Sequence, residues 1–523
     1  MSDELIELPE GWEWVNFEEL AERIPNALKA GPFGSALKKS FYVDSGYKIY
    51  GQEQVINEDP FLGNYYIDEK RYKDLKSCAV KSGDILISLV GTIGKVLILP
   101  EGIEPGIINP RLVKLSLDKS LIDNEFIKKY LESPTVHNYF SRLSHGGTMD
   151  ILNLSILKTL KIPLPPLNEQ KRIVAKIEEL NNRTRKAKEA LEAIPELCDR
   201  FRQSVLAAAF RGDLTADWRE QNPDIEPASV LLERIRQERR QCWESNLLTQ
   251  GKNPKKSKYQ EPVEIEDENF SLLPDTWCWT TLGNLTWSVK DGPHFSPKYS
   301  ESGIPFISGG NVRPEGIDFQ NVKYISPELH KKLSERCVPE IGDILYTKGG
   351  TTGIARVNTY THQFNVWVHV AVLKCVPSIE RFYLQNALNS PHCYEQSQKF
   401  THGVGNQDLG LTRMIKITIP LAPLEEQKII VERINKYMDF IGNIEKLIYI
   451  SKEKVDQLNQ SILAKAFRGE LVPQDPDDEP ASILLERIRA EREKLNNSKP
   501  KAKRTSSRKT KTSTTQRTIP GLE

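Results

Sequence analysis

Residues 162–174 read IPLPPLNEQKRIV and residues 419–431 read IPLAPLEEQKIIV, a match at 10 of 13 positions across a separation of 257 residues. The stretch SVLAAAFRGDL from Ser204 returns as SILAKAFRGEL from Ser461 at the same separation, so nothing is inserted or lost between the two landmarks. EPASVLLERIRQER from Glu226 returns as EPASILLERIRAER from Glu479, offset by 253. Each copy follows one plan, in which a segment of about 160 residues leads into a Pro-rich hinge, a long helix and a short charged helix.

The segments before each hinge read as short strands and Gly-rich turns. In the first half these are YKIYGQEQV, KSGDILISLVGTIGKVLIL and RLVKLSL, and in the second IPFISGGNV, EIGDILYTKGGTTGIARV and VHVAVLKC. Helices are expected over residues 124–131 and 379–387. The halves align loosely here, but Trp12 and Trp14 match Trp277 and Trp279, and Gly83-Asp84-Ile85-Leu86 matches Gly342-Asp343-Ile344-Leu345. Gly91 and Gly94 likewise match Gly350 and Gly353. The pattern predicts a shared fold with unlike loop chemistry.

After each hinge the period changes. From Ile173 an alternating step of four and three lands on Ile177, Leu180, Thr184, Ala187, Leu191, Ile194, Cys198, Phe201, Val205 and Ala208. The second copy gives Ile430, Ile434, Tyr437, Ile441, Ile444, Ile448, Ser451, Val455, Leu458, Ile462 and Lys465 in the same register. That is a heptad seam over about five repeats. About 40 residues at 1.5 Å each make a rod of about 60 Å, whose simplest partner is the other rod. Packing of each helix on its own domain is the competing reading. Pro195 should kink the first rod, because it removes a helix hydrogen bond.

Balanced charge, 72 basic against 71 acidic residues, excludes a global field for nucleic acid, so any such site must be local. Seven cysteines without a CxxC pair, and a start lacking a basic and an apolar region, point to a reduced, cytoplasmic protein. The most apolar stretch, residues 83–100, is interrupted by Asp84 and Lys95 and suits paired strands rather than a membrane span. Residues 251–269 have a linker's polarity. The tail after Leu495 carries eight basic residues and no acid before Glu523, a composition expected to be disordered.

The Pro-Pro-Leu-x-Glu-Gln hinge, the Ala-Phe-Arg-Gly-[Asp/Glu]-Leu close and the doubled arrangement resemble the specificity subunit of type I restriction–modification enzymes. The resemblance covers the chain up to the basic tail. It implies an α+β protein with two β-rich target-recognition domains joined by two long antiparallel coiled-coil helices, an internal pseudo-two-fold repeat. The direction of the helices comes from the resemblance alone. Expected boundaries are a first recognition domain over 1–165, a helical spacer over 166–250, a linker over 251–270, a second recognition domain over 271–422, a second spacer over 423–495 and the tail over 496–523.

The resemblance further implies a non-catalytic chain that reads a bipartite, asymmetric double-stranded DNA target, one half per domain. It would dock two methyltransferase subunits and work with restriction and translocase motor subunits. S-adenosylmethionine, ATP and Mg would belong to those partners, and none to this chain. Two similar domains on rigid rods could face successive grooves about 10 bp apart, with rod length as the ruler.

Catalytic motifs are missing from the sequence. GTIGK from Gly91 is too short for a phosphate loop, and GGTTGIA from Gly349 lacks its lysine. Asn109-Pro110-Arg111 lacks the second proline and the aromatic of an adenine methyltransferase, and the eight histidines form no zinc spacing. DNA-reading candidates are polar residues on turns: Lys48, Gln52, Gln54, Thr92, Lys95, Arg111, Thr148 and Asn153 in the first domain, and Asn311, Arg313, Lys348, Thr351, Thr352, Arg356, Asn406 and Gln407 in the second. Arg and Lys can bond guanine, and Gln and Asn adenine, in the major groove; a solvated turn residue is the alternative for each.

Glu169, Gln170, Glu426 and Gln427 sit in the first turn of each rod, where an acid favours the helix dipole or a partner could bind. Arg211 and Arg468 precede Gly212 and Gly469, which read as helix C-terminal caps, with partner docking as the arginines' alternative role. The Trp residues read as core, and LLERIR must pack on a rod or a partner. A protein-binding scaffold without nucleic acid is the competing function.

Overall fold

A computed structural model of the chain describes residues 7–33, 35–90, 94–143, 152–265, 270–403 and 407–497. Two compact units emerge, Met1–Glu189 with Lys452–Glu523, and Ala190–Ser451. Each unit therefore owns a segment of both long helices.

In the first unit an antiparallel sheet runs in the order Leu28–Ala30, Leu112–Leu115, Ile85–Ser88, Val96–Ile98. A second sheet runs Tyr66–Ile67, Tyr47–Tyr50, Gly106–Ile108, with the last pair parallel. A two-stranded ribbon pairs Glu13–Val15 with the hinge strand Ile162–Leu164.

The second unit repeats each piece in the same order. Its four-stranded sheet is Thr286–Asp291, Val370–Cys375, Ile344–Thr347, Ala355–Val357. The three-stranded one is Lys323–Ile325, Ile304–Ile307, Asn365–Val366, again with a parallel last pair, and Cys278–Thr281 meets the hinge strand Thr418–Leu421. Only the short hairpin of Val312–Arg313 with Gly316–Ile317 has no counterpart among the described residues. The repeated Gly-Asp-Ile-Leu opens the central strand both times, and its alternation of apolar residues fills cores on both faces of the sheet (Ile85 and Leu86; Ile344 and Leu345).

Several expectations need correction. YKIYGQEQV is a strand only to Tyr50. The backbone turns at Gly51, whose N–H donates to Gln54 Oε1, and Gln52–Ile56 is helical. The helix expected over 379–387 is Arg381–Leu388, because Glu380 caps its N-terminus through Tyr383 N–H. The helix Asn124–Leu131 lies where the sequence places it, capped by Asp123.

The long helices are Leu167–Arg211 (45 residues) and Leu424–Ala466 (43 residues), and the first is not interrupted at Pro195. Gly212 (φ +86°) and Gly469 (φ +73°) end them in the left-handed conformation that glycine adopts without strain. In the first unit the two helices lie against each other: Thr184 Oγ1 donates to Asn459 Oδ1 at 2.8 Å and Lys188 pairs with Asp456 at 3.3 Å. As the first number rises the second falls, so the pair is antiparallel. In the second unit Arg202 bonds Glu445 at 2.7 Å and Phe201 meets Tyr437 edge-on at 6.0 Å.

The seam is narrower than the heptads predict. Ile177, Thr184, Cys198, Val205, Ile434, Ile441, Ile448 and Ile462 are buried, whereas Ala187, Phe201, Tyr437, Leu458 and Lys465 stay exposed. Two helices bury the row between them and leave the flanking row open.

The LLERIR stretches belong to helices Ala228–Thr249 and Ala481–Asn497, and their first turns pack into cores that long-helix residues share with the recognition domains. Ala228, Leu231 and Ile235 enter the second unit's core beside Trp277 and Leu285, and Ala481, Leu484 and Leu485 enter the first beside Trp12 and Phe17. Ala228 N–H donates to Thr276 carbonyl at 2.8 Å, and Ala481 N–H to Gly11 carbonyl at 2.9 Å, each just before the core tryptophan. Among the described residues no helix is long and apolar enough to cross a membrane. Leu231→Ala and Leu484→Ala should each cost about 2–4 kcal/mol, the usual loss for an emptied buried leucine. In chemical unfolding, each should shift the transition of its own unit and leave the other's midpoint in place.

Candidate nucleic-acid interface

Buried groups at the start of each long helix fix the recognition domains and decide which side chains remain free. Trp12 Nε1–H donates to Glu169 at 3.1 Å, and Trp277 Nε1–H donates to Glu426 at 2.8 Å. Beside them Gln170 accepts from Asp123 N–H at 2.7 Å and donates to Leu121 and Pro165 carbonyls at 3.0 Å. Gln427 accepts from Glu380 N–H at 3.0 Å and donates to Ala422 carbonyl at 2.8 Å.

All four Glu and Gln side chains are buried, so the expectation that they meet a partner is corrected: they clamp each long helix to the domain that precedes it. The two clamps differ in charge balance. Glu426 also holds Arg219 at 2.6 Å and Thr215 at 2.6 Å, whereas Glu169 Oε1 has no bonded partner, and burial pushes its carboxyl pKa up. Arg211 and Arg468 are exposed at the helix ends and pair with Asp213 at 2.6 Å and Glu470 at 2.8 Å.

The loops that follow corresponding strand ends gather at one edge of each domain. In the first, Gln52 Nε2 donates to Ser88 Oγ at 2.8 Å and to Val90 carbonyl, and Gln52 Oε1 accepts from Arg111 at 3.3 Å. Leu89 N–H bonds Arg111 carbonyl, and Leu152 N–H bonds Leu89 carbonyl, both at 3.0 Å. Gln52, Lys95, Arg111 and Asn153 are thereby brought to this edge, the last three exposed, with Asn153 capping a short helix through Ile156 N–H at 3.0 Å.

Lys48 and Gln54 are corrected. Lys48 is 2% exposed and bonded to Glu104 at 2.9 Å and Phe61 carbonyl at 3.0 Å, and Gln54 is buried on Gly51 and Leu62. Both hold the loop from inside, and neither can reach a groove. Thr92 and Thr148 lie outside the described residues.

In the second domain Lys348 is buried in an ion-pair network, 2.5 Å from Asp408 and 3.5 Å from Asp291. Burial alone would raise the pKa of Asp291, but its bond to Arg336 at 2.7 Å, with Lys348 and His294, outweighs that and holds it below the usual range. Asn311 caps Ser308 and donates to Asp318 and Asn321 carbonyls, and Thr352 is buried against Gln398. Lys348, Asn311 and Thr352 therefore build the loops instead of reading from them. Arg313, Thr351 and Gln407 are exposed, Arg313 pairing with Asp318 at 2.9 Å. Arg356 is half-buried and donates to Arg313 carbonyl at 2.9 Å. Asn406 lies outside the described residues.

The sequence reading missed one repeated device. A side chain on Gly31 would strike Asn109 carbonyl, and one on Gly292 would strike Val366 carbonyl, so each loop leaves its edge strand in direct backbone contact with the neighbouring turn. The signal was available: Gly31-Pro32 and Gly292-Pro293 stand at corresponding places, two or three residues before an exposed phenylalanine. Among the described residues no group of three or more His, Cys, Asp or Glu side chains is gathered to hold a metal.

Residues 9–196 and 276–450 match the model of the type I restriction modification DNA specificity domain. The chain belongs to that family. Similar curated members are the EcoBI specificity subunit of Escherichia coli, 28% identical over 404 residues, covering 74% of this chain and 76% of that one, and the putative MjaX specificity subunit of Methanocaldococcus jannaschii, 24% identical over 489 residues, covering 90% and 95%. The fold is similar to the crystal structure of the HsdS subunit from Thermoanaerobacter tengcongensis, with a TM-score of 0.54 at 19% identity, covering 90% of this chain and all of that one.

The unequal clamps make a paired prediction. A carboxyl with a raised folded pKa binds its proton more tightly when folded, so the stability it contributes is present at low pH and is lost as pH rises through that value. Glu169→Gln, which keeps an acceptor for Trp12, should leave the first unit at least as stable at neutral pH and flatten this dependence. Glu426→Gln leaves Arg219 uncompensated and should cost roughly 3 kcal/mol. Thermal unfolding across pH 4 to 8 compares the two.

Proposed function

We propose that this chain is the DNA-reading subunit of a type I restriction–modification complex, in which each recognition domain reads one half of a bipartite, asymmetric target. The observation that carries the reading is the pair of topologically matching domains with unlike loop edges. The first places Gln52 after Tyr47–Tyr50 and Arg111 after Gly106–Ile108, where the second places Gly309 after Ile304–Ile307 and His369 after Asn365–Val366. Equal frames with different reading groups favour two different half-sequences. The helical spacers fix the gap between the halves. Methyl transfer with S-adenosylmethionine, and ATP- and Mg-dependent translocation and cleavage, belong to partner subunits, and this chain is not itself a catalyst.

Docking of two methyltransferase subunits is supported by the open row on the long helices. In the second unit Phe201, Tyr437, Phe440 and Leu447 are large, apolar and exposed, the last three at a helical spacing of three and seven. Such a stripe marks a contact surface. The buried Glu–Gln clamps are replaced in this role by that row.

Mapping methylated adenine in a genome that carries the chain tests the reading. Deletion should erase one bipartite motif, and the purified chain alone should transfer no methyl group; an unchanged methylation pattern would favour the protein scaffold. Deleting one heptad from each long helix should shorten the gap and leave both half-sequences intact. The double variant Phe440→Asp, Leu447→Asp should lose co-purifying methyltransferase subunit at least tenfold while its circular dichroism stays unchanged.

A further inference from the structure

Each domain carries a phenylalanine in solvent on the loop that leaves its edge strand through a Gly-Pro pair. Phe33 is 90% exposed and Phe295 is 56% exposed. Phe33 directly follows the buried Pro32, and Phe295 follows the buried Pro293 after His294; each proline in turn follows the glycine packed on the neighbouring backbone, so the ring projects from a braced loop. Phe295 is further fixed by Trp367 Nε1–H, which donates to its carbonyl at 3.3 Å. A single exposed phenylalanine needs no explanation. Two on corresponding loops, one residue apart in register after the Gly-Pro pair and in domains whose other loop residues differ, ask for a common ligand feature. Exposed lysines follow each ring, Lys38 and Lys39 in the first domain and Lys298 in the second, which suits a ligand that is apolar between polyanionic edges.

We propose that Phe33 and Phe295 are wedge residues, each stacking on or entering between bases of its own half-site while the adjacent lysines meet phosphate. Base faces and steps are common to all sequences, so one residue type serves both domains, and hydrogen-bonding groups nearby supply the difference. The rings contribute affinity and local unstacking at each half-site, and leave the choice of sequence to their neighbours. The inference rests on the DNA-reading function proposed above.

The test uses the full chain assembled with its methyltransferase subunits and duplexes carrying the motif mapped from the methylated genome, with a scrambled duplex as control. Phe33→Ala and Phe295→Ala should each weaken motif binding about tenfold, with an unchanged slope of affinity against salt because no phosphate contact is lost. Phe33→Trp and Phe295→Trp should stay within threefold. With 2-aminopurine placed at successive positions, the complex should show one bright, unstacked position in each half-site. Phe33→Ala should quench one and Phe295→Ala the other.

Binding within twofold of the parent for both alanine variants overturns the wedge. So does loss of methyltransferase subunits from either variant, which would make the loops protein-docking elements. A parent complex that fails to prefer the motif over the scrambled duplex refutes the DNA-reading function itself, an outcome distinct from failure of the wedge alone.

Discussion

Everything that positions a reading loop rests on a buried carboxylate and a buried carboxamide in the first turn of each long helix. Glu169 and Glu426 take the indole N–H of the opening tryptophan, and Gln170 and Gln427 take a backbone N–H at the start of the Asn124–Leu131 or Arg381–Leu388 helix. These bonds join three points far apart in sequence: the domain's first strand, a capping helix and the hinge. An unpaired polar group at such a depth costs about 1–3 kcal/mol, so the arrangement is held by penalty as much as by attraction. The neighbouring prolines of the hinge strand suit a two-stranded ribbon, where a missing N–H leaves no third strand unsatisfied.

The helices that follow complete the cores in an exchange between the two halves of the sequence. The first unit closes its core with residues from the end of the chain, Ala481, Leu484 and Leu485, and the second with Ala228, Leu231 and Ile235 from the end of the first half. Neither half of the sequence holds a full set of core residues for its own recognition domain. The repeats are kept alike where they must be interchangeable in this sense, and the constant separation of 257 residues between the copies, from hinge through Phe-Arg-Gly, follows from equal helix spans between the clamp and the glycine cap.

Much of this was legible in the sequence, and what was missed has physical reasons. The strand at Ile85, the glycine caps and the core tryptophans follow from local pattern, because periodicity and φ preference act over a few residues. Direction of the helix pair did not, since a heptad seam is the same read either way. Lys48, Lys348, Asn311 and Thr352 read as surface groups because sequence shows polarity and not burial; each is buried through a specific partner that a tertiary fold alone supplies. For the first-turn acids the sequence offers the helix dipole, which is local, or an outside partner, whereas at Glu169 the indole of a residue 157 positions earlier is the deciding contact. Gln52 and Arg111, both candidates from the sequence, meet at one loop edge, since turn residues after strands collect at a sheet's end whatever the details.

One buried pair shows how frame and reading surface are kept apart. Asp84 lies 3.9 Å from Lys114 and accepts from Ser116 at 2.5 Å, and its counterpart Asp343 lies 2.9 Å from Lys374. Burial raises both aspartates' pKa values, and it lowers that of Lys114, while at Lys374 the bonds to Glu340 and Asp343 outweigh burial and raise it. Such a pair adds little stability over apolar residues of equal volume, but leaving either partner alone is costly, so it fixes which strand lies beside which. That registry is internal and does not touch the loops. Gln52, Arg111, Trp367 and His369 can therefore change without unpairing a buried charge, and the two domains can hold one frame while presenting different groups to a ligand. The network of Asp291, Lys348 and Asp408 is the exception in the second domain: there a buried ion pair reaches the loop edge itself, and Ala30 stands where the first domain would need the corresponding acid. At that corner the second domain's loop is held by buried charge where the first has an alanine, and the first holds its own loop one strand away, through Lys48 on Glu104 and the Phe61 carbonyl, so each domain ties its loops to the frame at a different strand.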